Sequence, residues 1–153
     1  MQELNFDENY IDIEDIMNRL VTDNIVDKNI MKKVKIEEII KCVSVLKDLI
    51  DHSKKIYKEK QFLLCDSYNK LVKSTDNKTK VMVQGVIDLV VENEDGAILV
   101  DYKTNRGVSE SQLTNLYGLQ LDLYKKAFED ATGVTITSKY LYSFSLGKLI
   151  EVK

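Results

Sequence analysis

The pattern of apolar and polar residues predicts two long strands in the middle of the chain. Residues 81–91 are almost continuously apolar and rich in β-branched side chains, and so are residues 97–100. The segment 93–96 between them reads Asn-Glu-Asp-Gly, which is typical of a tight turn. The sequence therefore predicts a central β-hairpin, and strands this apolar should be covered on both faces of their sheet.

Residues 1–55 are predicted to be helical. Apolar residues at helical spacing indicate a short helix over residues 11–20, a second within 24–35 and a longer one over 36–53. The apolar stripe of the longest helix comprises Ile36, Ile39, Ile40, Val43, Val45, Leu46, Leu49 and Ile50. This stripe predicts packing against the sheet. His52, the only histidine, lies at the C-terminal end of that helix, where a positive ring would complement the helix dipole. A structural role is favoured for it over a role as ligand or base.

A further helix is predicted after the hairpin. Ser109 and Gln112 form a capping box, and Gly133 provides a stop signal. The apolar stripe between them comprises Leu113, Leu116, Tyr117, Gln120, Leu123, Tyr124, Ala127 and Phe128. Gln120 is the one polar member, and it projects from the same helix face as its i+4 neighbour Tyr124. A glutamine in such a stripe needs hydrogen-bond partners, either at the edge of the core or in a functional site.

Two more regions complete the predicted sheet. Residues 56–65 predict a first strand, and the polar residues 66–80 predict a connection to the hairpin. Residues 134–146 and 148–152 predict a closing hairpin. The predicted fold class is therefore α/β (α+β), with a central mixed β-sheet flanked by helices.

Length and composition are those of a globular protein. The 153 residues, 44% hydrophobic and 31% charged, predict one domain with a helical N-terminal segment, 1–55, and a core, 56–153. No apolar run approaches the ~18 residues of a membrane span, and the acidic N-terminus is unlike a signal peptide. Cys42 and Cys65 lack a motif spacing and are predicted to be reduced thiols. A cytoplasmic protein without a membrane partner is expected.

Charge is distributed unevenly along the chain. Residues 1–24 carry seven acids against Arg19, so the net charge of −3 divides into −6 there and +3 in the remainder. A mildly positive remainder permits contact with phosphates without arguing for it.

Three charged residues interrupt the apolar hairpin, namely Asp88, Asp101 and Lys103. If residues 94–95 form the loop, Asp88 faces Asp101; if 95–96 form it, Asp88 faces Lys103. Either register puts all three side chains on one face, and only an odd loop or a bulge would separate them. Two facing carboxylates repel each other, so a cation should lie between them, and a hard divalent ion such as Mg²⁺ suits oxygen ligands. The alternative is an ordinary Asp–Lys ion pair at a strand end.

Three short motifs carry a family resemblance: Gln84-Gly85-x-x-Asp88, Asp101-Tyr102-Lys103-Thr104 and Gln120-x-x-x-Tyr124. Together they resemble the PD-(D/E)XK nuclease superfamily. Within it the match is to the RecB-like nuclease domain, and most closely to the C-terminal nuclease module of AddA-type ATP-dependent helicase–nuclease subunits. Residues 57–62 resemble the family's strand before the motif, and 139–152 its closing strands.

The resemblance implies a restriction-endonuclease-like core that hydrolyses DNA with Mg²⁺, for which Mn²⁺ can substitute. It implies work in recombination and double-strand-break repair, together with a second helicase–nuclease subunit. The implied metal ligands are Asp88, Asp101 and the main-chain carbonyl of Tyr102. The further catalytic residues it implies are Lys103, Gln120 and Tyr124. In this scheme the lysine orients or deprotonates the attacking water, or stabilises charge on the phosphate, while the amide and phenol fix the lysine or the DNA backbone.

Two departures from the family pattern bear on activity. The chain has no G-x-x-x-x-G-K-[ST] phosphate loop, so the resemblance implies a fragment of a larger helicase–nuclease. The family's upstream metal-binding histidine also has no convincing match, which predicts weak metal binding and weak cleavage. Glu59 is the one candidate for an additional acidic ligand, although a surface role is favoured for it.

Two alternative functions stay open at this point. One is a catalytically inactive DNA- or subunit-binding module of the same fold, against which the intact Asp88, Asp101 and Lys103 set argues. The other is a stand-alone restriction-type endonuclease, which needs a dimer interface and recognition loops for which no extra segment is evident.

Overall fold

A five-stranded mixed sheet forms the centre of the fold in the computed structural model, which describes residues 13–72 and 76–153. The strands are β1 (Lys55–Ser67), β2 (Lys80–Asn93), β3 (Gly96–Lys103), β4 (Ile136–Ser143) and β5 (Lys148–Glu151). They lie side by side in chain order. Neighbours are antiparallel except β3 and β4, which are parallel. The predicted fold class is therefore confirmed.

Five helices accompany the sheet in the described part of the chain. They are α1 (Ile13–Thr22), α2 (Lys28–Met31), α3 (Ile36–Ile50), α4 (Tyr68–Val72) and α5 (Glu110–Thr132). The start of the helix predicted over 11–20 lies outside the described residues. The short α4 was not predicted, because the polar stretch 66–80 offers only two adjacent apolar residues as a signal. No helix among the residues described is long and apolar enough to cross a membrane.

Helices cover both faces of the central strands. Val90 and Leu99 are fully buried in a cluster that includes residues of α5. Their neighbours Leu89 and Val100 are fully buried on the opposite face, in a cluster that includes residues of α3. Successive side chains of these strand segments thus pack against helices on alternate faces of the sheet, which explains why the hydrophobic runs are continuous.

The buried stripes of the two long helices are narrower than predicted. In α5, Leu116 is 62% exposed, whereas Leu121, which was not included in the predicted stripe, is fully buried. In α3, Ile40 is 53% exposed, whereas Cys42 is fully buried. The predictions failed here because the sheet covers only a limited arc of each helix, so apolar residues at the rim of that arc stay in solvent.

Local signals set both ends of α5. The Ser109 side chain accepts the Gln112 main-chain N–H, and the Gln112 side chain accepts the Ser109 N–H. At the other end Gly133 has a left-handed backbone, φ 74°, and its N–H donates to the Glu129 carbonyl. These features confirm the predicted capping box and stop. They place the start of α5 shortly after the end of β3, so that the helix passes beside the charged residues of the hairpin.

Candidate active site

β2 and β3 pair in the first of the two registers left open by the sequence. Leu89 lies opposite Val100, and residues 94–95 form the two-residue loop. The same register, continued by one step, places Asp88 opposite Asp101. Both carboxylates therefore lie on the α5 face of the sheet, as does Lys103, which contacts a side chain of α5.

The ladder between β2 and β3 ends just before the two carboxylates. The last paired residues are Leu89 and Val100. Beyond them, the Asp88 side chain accepts the main-chain N–H of Tyr102, at 2.7 Å from Oδ2. Asp88 thus links the two strands through its carboxylate, and this hydrogen bond orients it.

Side-chain alternation is interrupted in β1 and β2, where these two strands pair beside Asp88. In β1, Tyr57 and Phe62 both touch α5, with ring centroids 5.1 Å from Phe128 and 5.3 Å from Tyr124. Residues on one face of a regular strand are an even number apart, and these two are five apart. Between them lies Glu59, with φ 47°, a left-handed value that non-glycine residues rarely adopt.

The same interruption occurs in β2. Ile87 and Val90, three residues apart, belong to one cluster on the α5 face. The irregularity falls at Glu59 and Asp88, which the pairing of β1 with β2 skips, and the Asp88 carboxylate nevertheless lies close enough to Asp101 to raise the pKa of that residue. The register of β1 and β2 is the same on both sides of this irregularity, so no residue is inserted and it is not a β-bulge.

Lys103 is held by polar and aromatic side chains. Its Nζ lies 2.6 Å from Asp101 Oδ2 and donates to Gln120 Oε1 at 3.1 Å. The same nitrogen lies 4.0 Å from the centre of the Tyr117 ring, within cation–π range. Gln120 Nε2 in turn donates to the Tyr124 hydroxyl at 2.6 Å. Gln120 and Tyr124 therefore form one hydrogen-bonded chain that ends on the ammonium.

Asp101 is buried in an unfavourable electrostatic setting. It is only 2% exposed, and burial raises the pKa of its carboxyl, with the charge of Asp88 adding to the increase and Lys103 opposing it. Its Oδ2 is buried and lies 2.6 Å from the Lys103 ammonium, with which it forms an ion pair. A buried carboxylate next to a second carboxylate fits a hard divalent cation.

The structure does not bring every candidate ligand to this place. Within residues 13–72 and 76–153, no group of three or more His, Cys, Asp or Glu residues could hold a metal ion. His52 is exposed, and its Nδ1 lies 3.3 Å from the Asp48 carbonyl at the end of α3. Glu59 is exposed as well. Asp88 and Asp101 would therefore need main-chain oxygens or waters to complete a coordination shell, and the Tyr102 carbonyl as a ligand stays a prediction.

One residue at the site, Tyr117, is missed in reasoning from the sequence. Tyr117 supplies the ring beside Lys103, and its hydroxyl donates to Asn105 Oδ1 at 3.0 Å. Tyr117 was assigned to the apolar stripe alone. Its spacing of three and seven residues from Gln120 and Tyr124 puts all three on one helix face, and this signal could have identified it.

Gly85 of the Q-G-x-x-D motif has a packing reason. A Cβ at this position would lie 2.8 Å from Cε1 of Phe62, whose ring packs edge-on against Tyr124. Tyr124 accepts the hydrogen bond from Gln120, which holds Lys103. The absence of a side chain at Gly85 therefore supports the position of the lysine through this series of neighbours.

A family model of the PD-(D/E)XK nuclease superfamily matches residues 15–147. The chain belongs to this superfamily. The resemblance that the motifs carry is thereby confirmed, and the chain is a nuclease-type domain of this hydrolytic family.

Relatives of this PD-(D/E)XK domain carry a common name. The A subunit of the ATP-dependent helicase/nuclease of Clostridium botulinum, strain Okra, is 33% identical over 150 residues, which cover 95% of this chain and 12% of that protein. The protein of the same name from Clostridium novyi, strain NT, is 31% identical over 164 positions, which cover 100% of this chain and 13% of that protein. The chain thus spans only about an eighth of the length of these relatives.

The PD-(D/E)XK domain is also similar to a solved structure, the crystal structure of SSO0001. The TM-score is 0.45 at 15% sequence identity, over 90% of this chain and 57% of that chain.

Proposed function

We propose that this domain hydrolyses DNA phosphodiester bonds with Mg²⁺, as part of a larger helicase–nuclease of recombination and double-strand-break repair. The observation that carries the proposal is the convergence of Asp88, Asp101 and Lys103 on one half-buried face, where the buried Asp101 carboxylate lies next to a second carboxylate. The superfamily supports hydrolysis by a nuclease, and the names of the relatives support the helicase–nuclease context.

The organisation of the protein belongs to the same proposal. Residues 1–153 would act as a single nuclease domain beside helicase domains of the longer chain, and the partner would be a second helicase–nuclease subunit. Its place of action would be the cytoplasm, where bacterial DNA is repaired. The share of each relative that this chain covers supports such an arrangement.

The proposed metal ligands are Asp88, Asp101 and the main-chain carbonyl of Tyr102, and Mn²⁺ is expected to substitute for Mg²⁺. When bound, such an ion polarises the scissile phosphate and lowers the pKa of a coordinated water. The two carboxylates already occupy one face, and the Tyr102 N–H fixes one of them, so little rearrangement would be needed. Preorganisation of this kind is the usual source of electrostatic catalysis.

Lys103 would act on the substrate directly. Asp101 at 2.6 Å and the Tyr117 ring at 4.0 Å both attract a positive charge, so we infer that the ammonium donates to the attacking water or to a phosphate oxygen. Gln120 and Tyr124 would hold the ammonium through the hydrogen-bonded chain described above. They would thereby keep the cation aimed at the site while the substrate binds.

A plasmid-nicking assay tests this proposal. Cleavage should require Mg²⁺ or Mn²⁺ and stop in EDTA. Asp88→Asn, Asp101→Asn and Lys103→Met should each lower the rate about 10²-fold or more, as removal of one preorganised electrostatic group does elsewhere. Asp95→Asn, in the exposed turn of the same hairpin, is the matched control and should cut like the wild type.

Two results would count against the proposal. Cleavage that survives the chelator would remove the metal from the mechanism, and full activity in Lys103→Met would remove the lysine. DNA binding without any cutting would instead identify an inactive module. Calorimetric titration with Mn²⁺ gives an independent readout, because Asp101→Asn should lose the binding heat while Asp95→Asn keeps it.

A further inference from the structure

A cavity of about 390 Å³ opens between the start of α3 and the chain that leaves β3. Its volume lies in the range of small-molecule binding sites. Basic side chains line it, namely Lys33, Lys35 and Arg106. Glu38 and Thr104 complete the polar wall, and Phe144 lies on the apolar side. The cavity is separate from the charged cluster of the hairpin, since none of that cluster's members lines it.

The charges of the cavity favour an anion. Its wall carries three cations against the one carboxylate of Glu38, so two positive charges are in excess. Glu38 is shared between two of the cations, with both carboxylate oxygens 3.0 Å from Arg106 Nη2 and Oε1 3.3 Å from Lys35 Nζ. The Glu38 carboxylate therefore holds the two cations side by side, and a ligand phosphate could bind them in its place.

The cavity begins where the proposed catalytic strand ends. Thr104, which lines it, directly follows Lys103 in the chain. Lys103 turns toward α5, whereas the cavity lies on the side of α3. A strand that reaches both would therefore have to cross the end of β3, from the α5 side to the α3 side.

We propose that this cavity is a subsite for the phosphodiester backbone of the DNA strand, next to the scissile phosphate. Lys33, Lys35 and Arg106 contact a backbone phosphate there, and that phosphate displaces Glu38 from its two ion pairs. Contacts of this kind position a strand without reading its sequence. The identity of the strand rests on the proposed nuclease function, while the preference for an anion rests on the cavity itself.

Binding of a fluorescent single-stranded oligonucleotide, measured by anisotropy in EDTA over a series of KCl concentrations, tests the subsite without cleavage. Lys33→Gln with Lys35→Gln should reduce the slope of log affinity against log salt by about 0.7 for each phosphate that the protein no longer neutralises. Lys32→Gln with Lys47→Gln removes the same charge from exposed positions outside the cavity, and is the matched control. The control pair should keep the wild-type slope.

Glu38→Gln gives a result of opposite sign. Without the competing carboxylate, Arg106 and Lys35 are free for phosphate, so affinity and salt slope should both rise. Equal slopes in the wild type, the lysine pair and the control pair would overturn the subsite, as would weaker binding by Glu38→Gln.

Cleavage separates this inference from the proposed function. The lysine pair should raise the DNA concentration needed for half-maximal cutting, whereas the control pair, outside the cavity, should keep the wild-type value. A chain that never cuts, but whose salt slope falls in the lysine pair alone, would keep the subsite and lose the nuclease. A chain that cuts with metal, but whose slopes are all equal, would keep the nuclease and lose the subsite.

Discussion

Replacement of Gly85 by alanine should damage the site from a distance. The new Cβ would lie 2.8 and 3.0 Å from two carbons of the Phe62 ring, whereas non-bonded carbon atoms normally lie about 3.5–4.0 Å apart. The ring must therefore move by up to about 1 Å. It packs edge-on against Tyr124 at 5.3 Å, so the movement is transmitted to the hydroxyl that meets Gln120.

Two effects of opposite sign decide the stability of Gly85→Ala. Overpacking in a well-packed region costs about 1–3 kcal/mol. Alanine in a strand recovers roughly 0.5–1 kcal/mol of the entropy that glycine loses on folding. The midpoints of these two ranges give a net loss of about 1 kcal/mol, which lowers Tm by roughly 2–4 °C in a chain of this size. Cleavage should fall further, by about 10- to 100-fold, because a misplacement near 1 Å can cost 10²-fold in rate.

Urea unfolding and the nicking rate at saturating DNA, both measured well below Tm, test this expectation. Gly118→Ala, within helix α5, is the matched control, since its Cβ would lie at an ordinary distance of 3.9 Å from Val152 Cγ1. It should gain about 0.5–1 kcal/mol and keep wild-type cleavage. Adding Phe62→Leu to Gly85→Ala should restore part of the lost stability. Wild-type stability and rate in Gly85→Ala alone would refute the linkage from this glycine to Lys103.

Three further expectations follow from burial and charge. Cys65 is exposed, whereas burial raises the pKa of the Cys42 thiol to about 12. A thiol reagent at about pH 8 should therefore modify one cysteine in the native chain and two in denaturant. Modification of two cysteines in the native chain would contradict the buried position of Cys42. Burial and a neighbouring carboxylate raise the pKa of Asp101. Without metal, the folded chain therefore binds a proton at this carboxyl more tightly than the unfolded chain does. The carboxyl should add stability as the pH falls through its raised pKa toward the ordinary value of 3.8. Urea unfolding in EDTA should show that Asp101→Asn removes this part of the slope, and an unchanged slope would contradict it. Tyr117→Leu should lower the cleavage rate about 2- to 30-fold, which corresponds to a cation–π interaction of about 0.5–2 kcal/mol with Lys103. Tyr117→Phe keeps the ring and should retain most of the rate. Equal losses in the two variants would assign the effect to the hydroxyl instead.

The elements that the sequence predicts well are those with local causes. The apolar runs and the turn at residues 93–96 define the central hairpin, and Ser109, Gln112 and Gly133 define the ends of α5. The five-residue α4 has too few apolar positions to produce such a signal. Local information is sufficient only where the residues that determine an element are neighbours in the chain.

The register of the hairpin could not be decided locally, because residues 94–96 suit either loop. In the structure β4 approaches this turn. The Ala97 N–H donates to the Thr135 carbonyl, and a Cβ at Gly96 would lie 2.8 Å from that same oxygen. An interaction between segments some 40 residues apart therefore takes part in fixing the turn, and no pattern within the hairpin contains that information.

The contact between the Tyr117 ring and Lys103 could not be predicted, for a related reason. Helical spacing placed Tyr117 in the apolar stripe, and it does pack against the core beneath α5. Whether its ring also meets Lys103 depends on how closely the helix lies over the strand. That distance is a property of the packed structure.

The hydrogen bond from the Tyr102 N–H to Asp88 has a practical consequence for mutagenesis. Main-chain pairing of β2 with β3 stops at Leu89, so this carboxylate also fastens the two strands beyond that point. Alanine there would delete a charge and loosen the hairpin together, and an inactive protein would be open to two explanations. Asparagine keeps an oxygen that accepts the same N–H, and it is therefore the substitution that distinguishes lost chemistry from lost architecture.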